Sequence, residues 1–153
     1  MKFICDDNLG KLAKWLRTLG YDTLFSCTIS DQELISQALK EDRIILTRDN
    51  KLVQMKSVTK YLLIESDKPL EQLKQVKEKF NLKTEEQTLF SRCLVCNTLL
   101  EKIEKESIKE KIPPYVYKTQ NDFVHCPQCD KIFWTGTHVQ RMTQRLKDSQ
   151  ILE

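Results

Sequence analysis

Two cysteine pairs carry the most specific chemical signal in the chain, Cys93-Leu94-Val95-Cys96 and Cys126-Pro127-Gln128-Cys129, separated by residues 97–125. Each C-x-x-C knuckle lets two thiolates turn onto one cation. Together the knuckles supply four sulfur ligands at about 2.3 Å and leave no coordination position open. A closed set of that kind is structural, and zinc is the expected metal. A redox dithiol of the thioredoxin type needs a single C-x-x-C at a helix start, so the duplication counts against it. Four thiolates also serve iron–sulfur clusters, an alternative that ligand type alone leaves open. The long intervening segment suits an inserted exposed helix or arm over Glu101–Lys111, where charges alternate around two isoleucines, and Pro113-Pro114 predicts an extended turn. Cys5 and Cys27 have no such spacing and read as small buried apolar side chains.

A second set of residues is acidic. Asp6 and Asp7 follow the apolar run Lys2–Cys5, Asp31 opens a helix-period segment, and Asp49 ends Thr47-Arg48-Asp49. In a parallel sheet the first and last of these come to the rim beyond the carboxyl ends of the strands, where ligands bind, and Asp31 leans over it. Converging carboxylates repel one another unless a divalent cation sits among them. Mg²⁺ or Mn²⁺ held by carboxylates and water is the usual means of attacking a phosphodiester. The same residues also have a plain reading. Aspartate after a strand is common in turns, Asp31 suits the first turn of a helix, and Asp49-Asn50 can cap the next one. Spacing alone leaves both readings open and slightly favours the plain one.

The elements that would position these residues alternate in type. Strands are predicted at Lys2–Cys5, Tyr21–Phe25, Arg43–Thr47 and Tyr61–Ile64, with helices at Asn8–Leu19, Ser30–Glu41 and Pro69–Phe80. That alternation implies a parallel sheet with helices on its faces. Ser30-Asp31-Gln32-Glu33 has the form of a capping box, and Pro69 stands where a first-turn proline is tolerated. On the first helix Leu9, Leu12, Ala13, Leu16 and Leu19 share a face, leaving Lys11, Lys14 and Arg17 as a basic stripe opposite. The pattern breaks near Gln87–Arg92, which predicts an α/β domain over residues 1–90 and a small zinc ribbon with a C-terminal helix over 91–153. A ribbon of that size needs a staple such as zinc.

Charged residues make up 31% of the 153-residue chain, yet the formal net charge is only +3, which excludes a strongly basic nucleic-acid coat. No apolar run reaches the roughly 20 residues of a membrane span. The expected location is the cytoplasm, where paired cysteines serve metals rather than disulfides.

Longer motifs add a resemblance. Phe3-Ile4-Cys5-Asp6 followed by Asn8 to Asp22, the segments Asp31–Ala38 and Arg43–Asp49, and Cys126-Pro127-Gln128-Cys129-Asp130 through His138 are similar to the Mut-7 C-terminal RNase domain family over nearly the whole chain. The resemblance implies an α/β fold of PIN type, a parallel sheet flanked by helices, joined to a small C-terminal zinc ribbon. It also implies metal-dependent cleavage of RNA leaving 5′-phosphate and 3′-hydroxyl ends. Asp6, Asp31 and Asp49 match the PIN acidic positions and would hold Mg²⁺ or Mn²⁺. A fourth acid is usual in such sites, and Asp7 and Glu33 are the candidates. Asn8 stands where an apolar residue is common in the family.

RNA would be the partner, with Lys11, Lys14, Arg17 and Arg48 near the acidic rim able to contact its backbone. On the first helix a merely solvated face is an equal reading. His138, Arg141 and Arg145 share one face of the last helix beside the apolar Val139, Met142 and Leu146, and with Trp134 they could grip a single strand. Trp134 is expected instead to pack the ribbon against the catalytic domain. The rival function is a non-catalytic RNA-binding or adaptor protein with a vestigial acidic site.

Overall fold

Strands β1 (Lys2–Cys5) and β3 (Ile44–Thr47) are almost entirely apolar and almost entirely buried, the pattern of strands covered on both faces of a parallel sheet. In the computed structural model, which describes residues 1–153, they are the two central strands. The sheet order is β2 (Asp22–Phe25), β1, β3, β4 (Tyr61–Leu63), and all neighbours run parallel. The chain forms two compact units, residues 1–97 and 98–153.

Alternation along β1 divides the first unit's core. Ile4 faces helix α2 (Asp31–Glu41) and packs with Leu34, Ile35, Ala38, Ile45, Leu52 and Val58. Phe3 points to the other face, where its ring meets Tyr21 and Phe80 and where α1 (Gly10–Thr18) packs on α4 (Pro69–Phe80). Parallel strands joined by helices produce these two covered faces.

Local signals set the helix ends. The Ser30 hydroxyl accepts from the Glu33 amide at 3.2 Å, the first half of the expected capping box, and Pro69 occupies the first turn of α4. Helix α1 starts at Gly10 rather than Asn8, because residues 6–9 form a turn closed by the Leu9 amide on the Asp6 carbonyl at 3.0 Å. The α1–β2 turn requires glycine at position 20. Gly20 has φ +95°, and a Cβ there would lie 2.6 Å from the Thr88 carbonyl oxygen. A further short helix, α3 (Asn50–Val53), follows β3.

The second unit holds an antiparallel sheet of β5 (Glu101–Ile103), β6 (Phe123–Cys126) and β7 (Lys131–Trp134), with helices α5 (Pro114–Thr119) and α6 (Thr137–Asp148). Glu101–Lys111 is therefore not an exposed helix or arm. It supplies β5 and a 3-10 turn, Lys105–Ile108, and the fully buried Ile108 joins Ile112, Val116 and Phe123 in the core. Pro113 is extended as expected, but Pro114 begins a helix. Trp134 packs on Phe123 at 6.3 Å between ring centroids, within this same core. On α6, Met142 and Leu146 are buried while His138 and Arg141 are exposed. No helix is long and apolar enough to cross a membrane.

Candidate active site and metal centre

The parallel register places Cys5 beside Leu46, so the residues that follow, Asp6 and Thr47, stand side by side at the carboxyl ends of the central strands. Asp6 is 8% exposed. Its Oδ2 accepts from the Thr47 hydroxyl at 2.7 Å, and its Oδ1 accepts from the Asp7 amide at 2.8 Å. The same Thr47 hydroxyl accepts from the Asp49 amide at 3.0 Å. One fully buried side chain thus positions both the carboxylate after β1 and the backbone after β3. The Asp49 carboxylate in turn caps α3, accepting from the Lys51 amide at 2.8 Å. Aspartate as a cap was one of two readings open at this position, and it holds.

Asp31, the exposed first residue of α2, joins them electrostatically. Its carboxyl is held above the usual aspartate range, first by loss of solvation and then by repulsion from Asp6, Asp49 and Asp7. The charges of Asp6, Asp7 and Asp49 therefore reach Asp31 at the start of α2. Glu33 lies exposed further along α2. Thr47 is the residue sequence reasoning missed. Its only signal was a hydroxyl closing an apolar strand two residues before an aspartate.

Of the basic residues, Lys11 and Lys14 are exposed on α1, Arg48 is exposed beside Asp49, and His138 and Arg141 are exposed on α6. Arg17 is not part of an exposed stripe. It is 5% exposed, and its guanidinium donates to the carbonyls of Thr23, Leu94 and Val95. Long arginine side chains fold back onto nearby carbonyls that helical periodicity cannot see.

The four cysteines of the two knuckles come together, with every sulfur within 4.8 Å of the others. The knuckles share one backbone form. The residue after each pair, Asn97 or Asp130, is left-handed, and its amide donates to the first cysteine's carbonyl, at 2.9 Å from Asn97 and 2.8 Å from Asp130. Asparagine and aspartate tolerate that conformation better than most residues. In the second knuckle the Cys129 amide also donates to the Cys126 sulfur at 3.3 Å. Beside it, the ring of His125 meets Asp130 at 2.8 Å and holds that carboxyl below its ordinary range.

Zinc bonded to four thiolates at about 2.3 Å sets its sulfurs at the vertices of a small tetrahedron, and the observed set fits such an ion. A polynuclear iron–sulfur cluster, whose thiolates bind different irons, would hold them further apart. No other three metal-ligating side chains gather as closely. Cys27, expected to be buried, is exposed, whereas Cys5 is buried as expected.

Comparison with known proteins adds one result. Neither curated proteins nor solved structures give a match, but the model of one family, described as the Mut7-C RNAse domain, matches residues 1–146. Because the match spans both the strand-end carboxylates and the cysteine knuckles, the chain belongs to the Mut7-C RNAse domain family.

Proposed function

We propose that the protein is a metal-dependent ribonuclease of PIN type, hydrolysing RNA phosphodiester bonds at the rim formed by Asp6, Asp31 and Asp49. The observation that carries this reading is the Asp6 carboxylate and the Asp49 backbone that Thr47 holds side by side beyond β1 and β3, where loss of solvation and the charges of Asp6, Asp49 and Asp7 hold the Asp31 carboxyl above its ordinary range, a crowding of charge that a hard divalent cation relieves. Asp7 is the preferred fourth acid, because its charge acts on Asp31. Mg²⁺ or Mn²⁺ bound there would supply an acidified water and neutralise charge on the phosphate.

The chain's own residues do the positioning. Thr47 keeps one oxygen of Asp6 oriented, and the Asp7 amide holds the other. Lys11, Lys14 and Arg48 are exposed and can meet phosphates. The attacking water becomes part of a 5′-phosphate, and the leaving oxygen departs as a 3′-hydroxyl.

In this reading the catalytic part spans residues 1–90, and residues 91–153 form a zinc ribbon in which Cys93, Cys96, Cys126 and Cys129 hold a structural Zn²⁺. His138 and Arg141 on α6 would add contacts to RNA. A reducing, cytoplasmic setting suits a site built on metal-binding cysteines.

The test is incubation of the purified protein with an end-labelled structured RNA in Mn²⁺, in Mg²⁺ and in chelator. Metal-dependent products bearing 5′-phosphate are expected. No cleavage of any RNA in Mn²⁺ would leave only binding, and the non-catalytic reading would replace this one.

A further inference from the structure

Arg17 is a buried charge that the ribonuclease reading leaves without a task. A guanidinium keeps its proton under all ordinary conditions, so burying one demands partners. Its Nε donates to the Thr23 carbonyl at 2.9 Å, and its Nη1 donates to the Leu94 carbonyl at 3.0 Å and the Val95 carbonyl at 3.3 Å. Leu94 and Val95 are the two residues between Cys93 and Cys96. The ionisable groups that act on it are the thiols of Cys5, Cys96 and Cys93 and the carboxylate of Asp22. Asp22 is already engaged, accepting from Arg43 and Asn97, each at 2.7 Å.

The knuckle is tied to the same strand from a second direction. The Thr23 amide donates to Asn97 Oδ1 at 3.0 Å, and Arg92 donates to the Gly20 carbonyl at 3.1 Å and to the Asn97 carbonyl at 2.9 Å. Strand β2 is the edge of the parallel sheet. An edge strand exposes unpaired backbone groups. At Thr23 both amide and carbonyl are taken, one by the residue after the knuckle and the other by the arginine that holds it.

We infer that Arg17 is the charge-balancing positioning residue of the four-cysteine metal site, and that metal loading and closure of the β2 edge are coupled through it. Four thiolates around a dication leave a net charge of about −2. Metal binding therefore places negative charge beside a buried cation that otherwise has carbonyl dipoles and an already engaged Asp22. The favourable interaction is reciprocal, so a metal that is stabilised by Arg17 must also stabilise the state in which Arg17 is seated. By holding the Leu94 and Val95 carbonyls, the guanidinium also fixes the turn that spaces two of the sulfurs.

The experiment uses the full-length chain and does not depend on nuclease activity. Zinc affinity is measured by competition with a chromophoric chelator for wild type, Arg17→Lys and Arg17→Met. Arg17→Met should bind zinc about 10- to 100-fold more weakly, as expected for loss of an outer-shell partner. Arg17→Lys, which keeps the charge, should recover a clear part of that loss. In parallel, hydrogen exchange at the Thr23 amide is followed in zinc-loaded and zinc-free wild type, and zinc removal should accelerate it selectively relative to amides of β3. This second measurement stands even if Arg17→Met fails to fold. Wild-type zinc affinity in folded Arg17→Met, equal weakness of the Lys and Met variants, or an unchanged Thr23 amide on zinc removal would each overturn the inference.

Discussion

Replacing Thr47 with valine removes one hydroxyl and almost no volume, yet that hydroxyl donates to Asp6 and accepts from the Asp49 amide. The side chain is fully buried, so water cannot take its place without opening the strand end. A hydrogen bond to a charged acceptor contributes about 1.5–3 kcal/mol. The Asp49 amide lies near solvent and recovers a water partner, so its loss adds little. Thr47→Val should therefore be about 2 kcal/mol less stable than wild type in urea denaturation without divalent cations. Thr47→Ser keeps both bonds, loses one methyl group and should cost about 1 kcal/mol. If Thr47 positions a cation-binding carboxylate, Mn²⁺ affinity measured by calorimetry should fall about 10- to 100-fold in the valine variant and much less in the serine variant. A valine variant within about 0.5 kcal/mol of wild type, or serine and valine variants equally impaired, would refute the reasoning.

Three further outcomes follow from the same geometry. Elemental analysis should find about one zinc per chain, lost in Cys126→Ser, while circular dichroism of that variant keeps most of its helical signal because α1, α2 and α4 lie in the first unit. Because Asp31 has a raised carboxyl, its contribution favours folding at low pH and fades as pH rises from the ordinary aspartate value of about 3.9 toward the folded one. Urea titrations above that window should find Asp31→Asn at least as stable as wild type without divalent cations, and Mn²⁺ should stabilise wild type more than the variant. Asp22 behaves oppositely. Burial would raise its carboxyl, but hydrogen bonds from Arg43 and Asn97 hold it below the ordinary value, so its contribution is present at neutral pH and lost as pH falls through that range. Asp22→Asn, which leaves the 5% exposed Arg43 with Glu41 as its remaining charge partner, should destabilise the fold by about 1–3 kcal/mol at pH 7 in urea titrations.

Most of the first unit was readable because each local signal agreed with the next. Apolar runs marked β1 and β3, Ser30 and Pro69 marked helix starts, and the alternation of types implied the parallel sheet. The paired C-x-x-C spacing likewise anticipated the sulfur cluster. What escaped depended on reach and on contacts between distant segments. Arg17 sits where periodicity puts a solvated lysine, but its guanidinium folds back to carbonyls on β2 and beside Cys93. Three-residue β5 is too short to show alternation among its charges, and the burial of Ile108 depends on Phe123 and Val116 arriving from later in the chain. Thr47 carried no motif of its own, since its role exists only once β1 and β3 pair. The left-handed Asn97 and Asp130 did leave a trace, a polar residue tolerant of positive φ directly after each knuckle.

The central proposal, hydrolysis of RNA at the Asp6, Asp31 and Asp49 rim, is tested most directly by comparing wild type and Asp6→Asn on one labelled RNA in Mn²⁺, with binding measured in the same samples. Asparagine keeps the size and one acceptor oxygen for Thr47 but removes the charge that holds a hard cation. Cleavage should fall by orders of magnitude while binding stays equal or tightens, because the variant presents less negative charge to the phosphates. Cleavage by Asp6→Asn at the wild-type rate would contradict the account.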